Sequence, residues 1–298
     1  MLLSFLLVTK AGHVEALALA HEARAWLLER GASVTLLQHP GAEDVTLLHQ
    51  AAGQANVAVV FGGDGTFVSV ARSLAGSDIG LMGINFGRVG FLTEIPAADW
   101  KGAFEALLDG RLRRTDRLLL AWKVERQGHA ILSGHAVNEV VVGRGSLARI
   151  VTLHLSVQGL ASAEPEDIGW IKADGIIVAS PLGSSAYSLS SGGPLVHPEL
   201  SAVLVTAVVP FLSGMPPLAV PGEACIRLQC SADEKEPDIC LTVDGQEGHM
   251  LEPGDLVSVQ GLPHGLHQYS FPERYLQRLR SRGFVRDFPF GHGHGGPA

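Results

Sequence analysis

The chain is short of positive charge, cysteine and long apolar runs, and each shortage argues against a class of function. With 22 Lys and Arg against 30 Asp and Glu among 298 residues, the formal net charge is −8. A nucleic-acid binder normally needs a basic face to neutralise phosphates, so any anionic ligand here must be held by local features. The three cysteines, Cys225, Cys230 and Cys240, are odd in number and lack a C-x-x-C spacing. That argues against a disulfide framework and a zinc site, and fits a reducing cytoplasm. No apolar run reaches the roughly 20 residues needed to span a bilayer. Residues 1–8 are apolar, yet no basic residues precede them and no small-residue cleavage site follows, so they read as a buried strand. The 13 histidines include His264, His267, His292 and His294 but form no H-E-x-x-H, and they read as loop and tail residues without a metal role.

What is present suits a globular protein of two domains: 46% hydrophobic and 17% charged residues can bury a sizeable core. Over the first hundred residues, strand-like apolar runs at 2–8, 33–37, 57–61 and 79–84 alternate with helix-period segments at 14–30, 67–74 and 99–108, two of them followed by Gly31 and Gly110. This is the pattern of parallel βαβ units, a doubly wound half. From Leu118 the pattern changes to short strands, at 118–126, 139–142, 150–157, 176–179, 203–209, 224–230, 239–243 and 255–260. Asp244-Gly245 is a hairpin turn signal. The sequence therefore predicts an α/β domain with a mostly parallel sheet (1–114), a β-rich, sandwich-like domain (115–271), and a short helix from Pro272 with a disordered Gly/His tail from Gly291 (272–298).

Two glycine loops follow neighbouring parallel strands. In Phe61-Gly62-Gly63-Asp64-Gly65-Thr66, glycines at the entry to a helix let phosphate oxygens approach backbone N–H groups where the helix dipole favours an anion. An Asp inside such a loop repels phosphate unless Mg²⁺ or a sugar hydroxyl lies between. The second loop, Gly83-Ile84-Asn85-Phe86-Gly87-Arg88-Val89-Gly90-Phe91, offers the positive charge of Arg88. Ligands collect at the carboxyl ends of strands in open α/β sheets, so the two loops suggest one crevice. Taken singly, the first also reads as a tight βα turn and the second as a shaped connection.

Other glycine patterns are decoys. Gly143-Arg144-Gly145-Ser146-Leu147-Ala148 matches G-x-G-x-x-A, but residues 149–157 alternate like a strand, and the match from Gly291 to Gly296 lies in a tail with no room for a helix. No G-x-x-x-x-G-K-[ST] loop and no G-x-S-x-G elbow occurs. In the β-rich half, Asn138-Glu139 and Asp174-Gly175 stand beside strand edges, and Ser180-Pro181-Leu182-Gly183-Ser184-Ser185-Ala186-Tyr187 adds hydroxyls. Such groups suit the donor-rich parts of a dinucleotide, although each acid alone also reads as a turn or cap residue.

Together and in order, these segments resemble the NAD kinase family across roughly residues 55–250. Residues 62–66 match the family's G-G-D-G-[TN], 85–92 its N-x-G-x-[LV]-G-F-L, Asn138-Glu139 its N-E, and 174–187 its D-G-x-x-x-[ST]-T-P-T-G-S-T-A-Y, continued by Gly192-Gly193-Pro194 and His197-Pro198. The resemblance implies transfer of the γ-phosphate of ATP to the 2′-hydroxyl of NAD's adenosine ribose. It also implies an active site in an interdomain cleft and a homodimer or homotetramer whose neighbouring subunits help form that site. Carried over by position, Asp64 is the catalytic residue. Asp64, Gly65, Asn85, Phe91, Asn138, Glu139, Asp174, Ser185, Ala186 and Tyr187 bind NAD, and Gly62, Gly63, Gly65, Thr66 and Arg88 hold phosphates. Lys172, Asp244 and Gln246 are further candidate contacts. Mg²⁺ accompanies ATP or polyphosphate, with Asp64 the one side chain considered as a ligand.

A free Asp titrates near 3.9 and a ribose hydroxyl roughly eight or more units higher, so prior deprotonation would cost on the order of 11 kcal/mol. In a loose phosphoryl-transfer transition state the proton leaves late, and Asp64 need only orient the hydroxyl and accept its proton. Two departures stand out. Leu182 replaces a Thr or Ser, and Phe211 and Pro216 occupy the His and Arg positions of P-H-[ST]-L-x-x-R-P-[LI]. The competing expectations are a non-catalytic NAD(P)-binding regulator and a lipid or other small-molecule kinase sharing only the first glycine loop.

Overall fold

The computed structural model describes residues 4–39, 46–87, 90–145, 149–159, 164–212, 214–232, 238–271 and 275–284. The chain opens with β1 (Ser4–Lys10), α1 (Val14–Glu29), β2 (Ser33–His39), α2 (Thr46–Ala52), β3 (Val57–Phe61), α3 (Asp64–Ser73) and β4 (Gly80–Asn85). The two-residue β5 (Ile95–Pro96) and α4 (Trp100–Leu108) follow. The four main strands are parallel in the order β2-β1-β3-β4. Because successive side chains point to opposite faces, Phe5, Leu7, Val57 and Val59 pack against α1 and α4, where Trp100 and Phe104 lie. Leu6, Val8, Ala58 and Val60 pack against α2 and α3 on the other face. Helices on both faces explain why these strands read as unbroken apolar runs.

The second part contains β6 (Arg113–Arg126), β7 (His129–Ala136), β8 (Glu139–Arg144), β9 (Val151–Gln158), β10 (Glu166–Ala173), β11 (Gly175–Ala179) and α5 (Tyr187–Ser190). It continues with β12 (Ala202–Val208), β13 (Leu218–Pro221), β14 (Cys225–Cys230), β15 (Ile239–Val243), β16 (Glu247–Leu251), β17 (Leu256–Ser270) and α6 (Tyr275–Ser281). An antiparallel sheet of order β13-β12-β11-β8-β15-β16 faces β6, β9, β14 and β17. Val140, Val142, Ile176 and Val178 on one side meet Leu120, Leu153, Ile226 and Val257 on the other in a single apolar layer. This is the expected β-rich, sandwich-like half.

β17 ties the halves together. It pairs antiparallel with β14 and β6, then parallel with β4 through His267 and Gln268, so the α/β strands and one leaf of the sandwich form an 11-stranded sheet. The predicted strand stops at Gln260, but the real one continues past Pro263 because a register shift between Leu262 and Leu266 absorbs it. Helix α2 and strands β7, β10, β13 and β16 have no counterpart in the sequence reading. β10 is a largely exposed edge strand with a bulge at Gly169, and β13 is four residues ending in Pro221. Neither carries a buried apolar run. The predicted helix start at Pro272 and the Gly/His tail lie outside the described residues, where α6 is seen only from Tyr275. Among the described residues no helix is long and apolar enough to cross a membrane.

Candidate active site

The order of the parallel strands reverses between β1 and β3, the position where open α/β sheets form a crevice. Lys10 ends β1, His39 ends β2 opposite it, Gly62-Gly63 follow β3, and Phe86 follows β4. A cleft of about 680 Å³ opens there, bordered also by Thr66, Arg72 and Gln246.

Asp64 is the first residue of α3, and Gly63 before it caps the helix without a side chain. Its carboxylate turns to the second glycine loop. Oδ1 accepts from the Thr93 amide at 2.9 Å, the Thr93 hydroxyl at 2.7 Å and the Leu92 amide at 3.2 Å. Among the described residues Oδ2 accepts only the Phe91 amide, at 2.7 Å, which leaves it capacity for another donor. Buried Asn85 donates Nδ2 to the Thr93 hydroxyl at 2.6 Å, completing a chain from β4 to Asp64. A Cβ on Gly90 would lie 1.7 Å from Asp64 Oδ1, which is why the loop needs glycine there.

A second aspartate does the same work on the sandwich side. Asp244, at φ 52° in the turn between β15 and β16, accepts from the amides of Val137 (3.0 Å), Asn138 (2.7 Å) and Glu139 (3.1 Å). Burial raises its pKa, while those amides and Arg72 oppose the shift. Arg72 on α3 lies 3.6 Å from Asp244 and 2.8 Å from Glu247, and Gln246 donates to the Gly65 carbonyl at 2.9 Å. One hairpin turn therefore holds the Asn138-Glu139 segment and the Asp64 loop together.

Glu139 is buried, and among the described residues its Oε2 has no hydrogen-bond partner. Burial first, and the neighbouring Asp244 second, push its pKa up to about 7 against an opposing backbone N–H of Tyr187. The serine loop lies over this segment: the Ser180 amide donates to the Asn138 carbonyl at 2.8 Å and its hydroxyl to the Val137 carbonyl at 2.5 Å. A Cβ on Gly183 would stand 2.1 Å from the Asn138 carbonyl oxygen, so only glycine allows this approach. Ser185, Ala186 and half-exposed Tyr187 are thereby carried to Asn138 and Glu139. Leu182, where the family pattern has a hydroxyl, is buried in an apolar cluster with Phe67, Leu92 and Val137.

Other candidates lie elsewhere. Ala179 pairs with Glu139 but Gly175 pairs with Gly143, so Asp174 stands just beyond the far end of β11, about 17 Å from Glu139 at the rise of a strand. It is ion-paired with Arg144 at 3.2 Å, and exposed Lys172 lies next to it on β10. Phe211 and Pro216 are exposed, with the Phe211 amide donating to the Lys172 carbonyl at 2.8 Å. The Phe91 ring meets Phe284 edge-on at 5.1 Å. Arg88 lies outside the described residues. Sequence reasoning passed over Lys10, His39, Arg72 and Thr93. For Lys10 and His39 the usable signal was their position at the carboxyl ends of predicted parallel strands.

Similarity to known proteins gives the class first. The model for the ATP-NAD kinase N-terminal domain matches residues 5–112 and that for the ATP-NAD kinase C-terminal domain matches residues 137–268, so both halves are those of a kinase. A NAD kinase from Nitratidesulfovibrio vulgaris (strain Miyazaki F) is 44% identical over 285 residues, covering 95% of this chain and 97% of its own. One from Oleidesulfovibrio alaskensis is 40% identical over 293 residues, covering 98% and 96%. The chain belongs to the NAD kinase family. Its fold is also that of yeast NADH kinase complexed with NADH (TM-score 0.80, 21% identity, 97% of this chain and 89% of that one). An NAD kinase from Archaeoglobus fulgidus in complex with ATP shares it as well (TM-score 0.68, 23% identity, 93% and 96%).

Proposed function

We propose that this chain transfers the γ-phosphate of ATP to the 2′-hydroxyl of the adenosine ribose of NAD, forming NADP. The observation that carries the reading is the hairpin turn at Asp244 to Gln246, which joins the Asp64 loop to buried Glu139 with its unpartnered Oε2. Ribose hydroxyls or an adenine amino group are donors that would satisfy that oxygen, and Asn138 offers both a donor and an acceptor beside it. The named NAD kinase relatives, and the NADH and ATP bound to proteins of the same fold, support the two substrates. A regulator without activity or a lipid kinase is not favoured by NAD kinase relatives that match along 95% and 98% of the chain.

In this reading Asp64 acts through Oδ2. Oδ1 is occupied by three donors that fix the carboxylate's orientation, while Oδ2 accepts a hydrogen bond from the 2′-hydroxyl and takes its proton as the bond to the γ-phosphorus forms and the bond from that phosphorus to the ADP oxygen breaks, ADP leaving. The backbone amides at the start of α3 face the phosphates and stabilise developing charge. Among the described residues no group of three or more His, Cys, Asp or Glu is placed to hold a metal ion. Mg²⁺ commonly needs only one or two carboxylates plus substrate phosphates, which fits a metal delivered with ATP to neutralise phosphate charge, with Asp64 as the available side chain.

The reading extends to assembly and place. Ile168, Trp170, Val209, Phe211 and Leu212 are exposed apolar residues around the β10 edge, beside Lys172 and Asp174. A homodimer or homotetramer formed there would bring Lys172 and Asp174 to a neighbour's dinucleotide. The three free thiols suit a reducing cytoplasm. The phosphorus spectrum of the product tests the chemistry: ATP and NAD should yield one phosphomonoester on the adenosine 2′ position, and a phosphate on any other position would reject the assignment.

A further inference from the structure

Helix α6, the last in the chain, is fastened to both walls of the site. On the α/β side, Phe91, Leu92 and Thr93 turn three successive amides toward the Asp64 carboxylate. The next residue, Glu94, has a side chain only 7% exposed that is ion-paired with Arg278 of α6, itself 15% exposed. Gln268 on β17 donates to the Leu92 carbonyl at 3.3 Å and accepts from Arg117 Nε at 3.1 Å. The Phe91 ring meets Arg282, whose guanidinium carbon lies 5.3 Å from the ring centre, besides Phe284. On the sandwich side, the Tyr275 hydroxyl donates to the Val196 carbonyl at 3.2 Å, and its ring meets that of His197 at 4.9 Å. The Val196 amide in turn donates to the Ser184 hydroxyl at 3.1 Å, within the loop that carries Ser185, Ala186 and Tyr187.

Stability alone does not account for the buried pair. Removing two charges from water costs about as much as their attraction returns, so well-packed apolar side chains serve a core as well or better. Burial pushes the Glu94 carboxyl up, with Arg278 opposing the shift, and Glu94 Oε2 and Arg278 Nε have no hydrogen-bond partner among the described residues. What a charged pair supplies and an apolar contact does not is a fixed direction. We propose that Arg278 is a positioning residue for phosphoryl transfer: through Glu94 it sets the turn at Phe91 to Thr93, and through that turn the direction of the Asp64 carboxylate. Tyr275 ties the serine loop to the same helix, so residues far from the chemistry in sequence hold the proton acceptor and the dinucleotide pocket in one frame. The inference rests on the kinase reading and deepens it. A misplacement of about 1 Å at a reacting group costs on the order of a hundredfold in rate, so a loosened turn is felt in kcat.

The test compares Arg278→Met, which keeps an unbranched stem and removes the charge, with Arg278→Lys, which keeps the charge. Both are measured in the full chain, well below each variant's melting temperature, by steady-state kinetics and by residue-resolved amide hydrogen exchange. Arg278→Met is expected to lower kcat by about ten- to a hundredfold, with the KM for ATP within about twofold of wild type. The amides of Phe91, Leu92 and Thr93 should exchange at least about tenfold faster while those of β1 and β3 keep their protection, which a general loss of stability would not spare. Arg278→Lys should recover most of both effects. Should Arg278→Met fail to fold, Glu94→Gln, which breaks the pair at nearly constant volume, is expected to show the same pattern. In the folded variant, kcat within twofold of wild type would overturn the assignment, as would exchange unchanged at Phe91 to Thr93 or raised equally in β1 and β3. If wild type makes no NADP yet the turn loosens in the variant, the kinase reading fails and the hold of α6 on the Asp64 loop stands.

Discussion

Glu139 and Asp64 are both carboxylates, but their surroundings divide the work between them. Glu139 is buried near Asp244 and its pKa rises to about 7, above the ordinary carboxylate value. The native state therefore keeps a proton that the unfolded chain releases, and this group's contribution to stability falls as pH rises from about 4.5 to 7. Ribose donors favour its ionised form, so NAD binding should release a proton and tighten as pH rises through 7. Calorimetry in buffers of different ionisation enthalpy reads this directly. Proton uptake would mean that the neutral acid donates to the ligand, and Glu139→Gln should abolish the linkage. For Asp64→Asn, loss of the proton acceptor predicts a fall in kcat of about two to four orders of magnitude with NAD affinity largely kept. Asp64, Asn138 and Glu139 were legible because each sits in an ordered motif. The stapling of loop amides by Asp64 and Asp244 was not, since it depends on contacts with residues 27 and more positions away.

At the scale of elements, glycine does the positioning, and its necessity can be tested. Gly90→Ala places a methyl group 1.7 Å from Asp64 Oδ1, so loop and carboxylate must part. Overpacking of this kind costs roughly 1–3 kcal/mol, read as a drop of several degrees in melting temperature. The account also expects kcat to fall by at least about tenfold, because the displaced group is Asp64 itself. Gly102→Ala is the control: it lies within α4 with nothing near its Cβ position, and should stabilise by roughly 0.5–1 kcal/mol. Equal effects from the two changes would contradict the staple. The buried parallel strands and the turn at Asp244 were readable from apolar runs and Asp-Gly. β7, β10 and β16 were not, because their exposed faces carry histidine, glycine and acids in place of a continuous apolar stripe.

For the whole molecule, the two-part architecture was legible from the switch in pattern near residue 115, whereas the crossing of β17 to β4 was not. That pairing joins His267 to Gly80, and no local pattern announces a partner so distant in sequence. The proposed assembly predicts that Trp170→Glu, on the exposed edge strand, lowers the oligomer's mass in light scattering and cuts activity with it. A monomeric variant of full activity would show that each chain is complete alone. The central claim is that the Asp64 loop and the Glu139 pocket form one catalytic site for NAD. Purified protein with NAD, ATP and Mg²⁺, followed by an NADP-specific dehydrogenase, measures it most directly. NADP should accumulate with wild type and nearly vanish with Asp64→Asn; calorimetric NAD binding without any NADP at millimolar substrates would contradict the account.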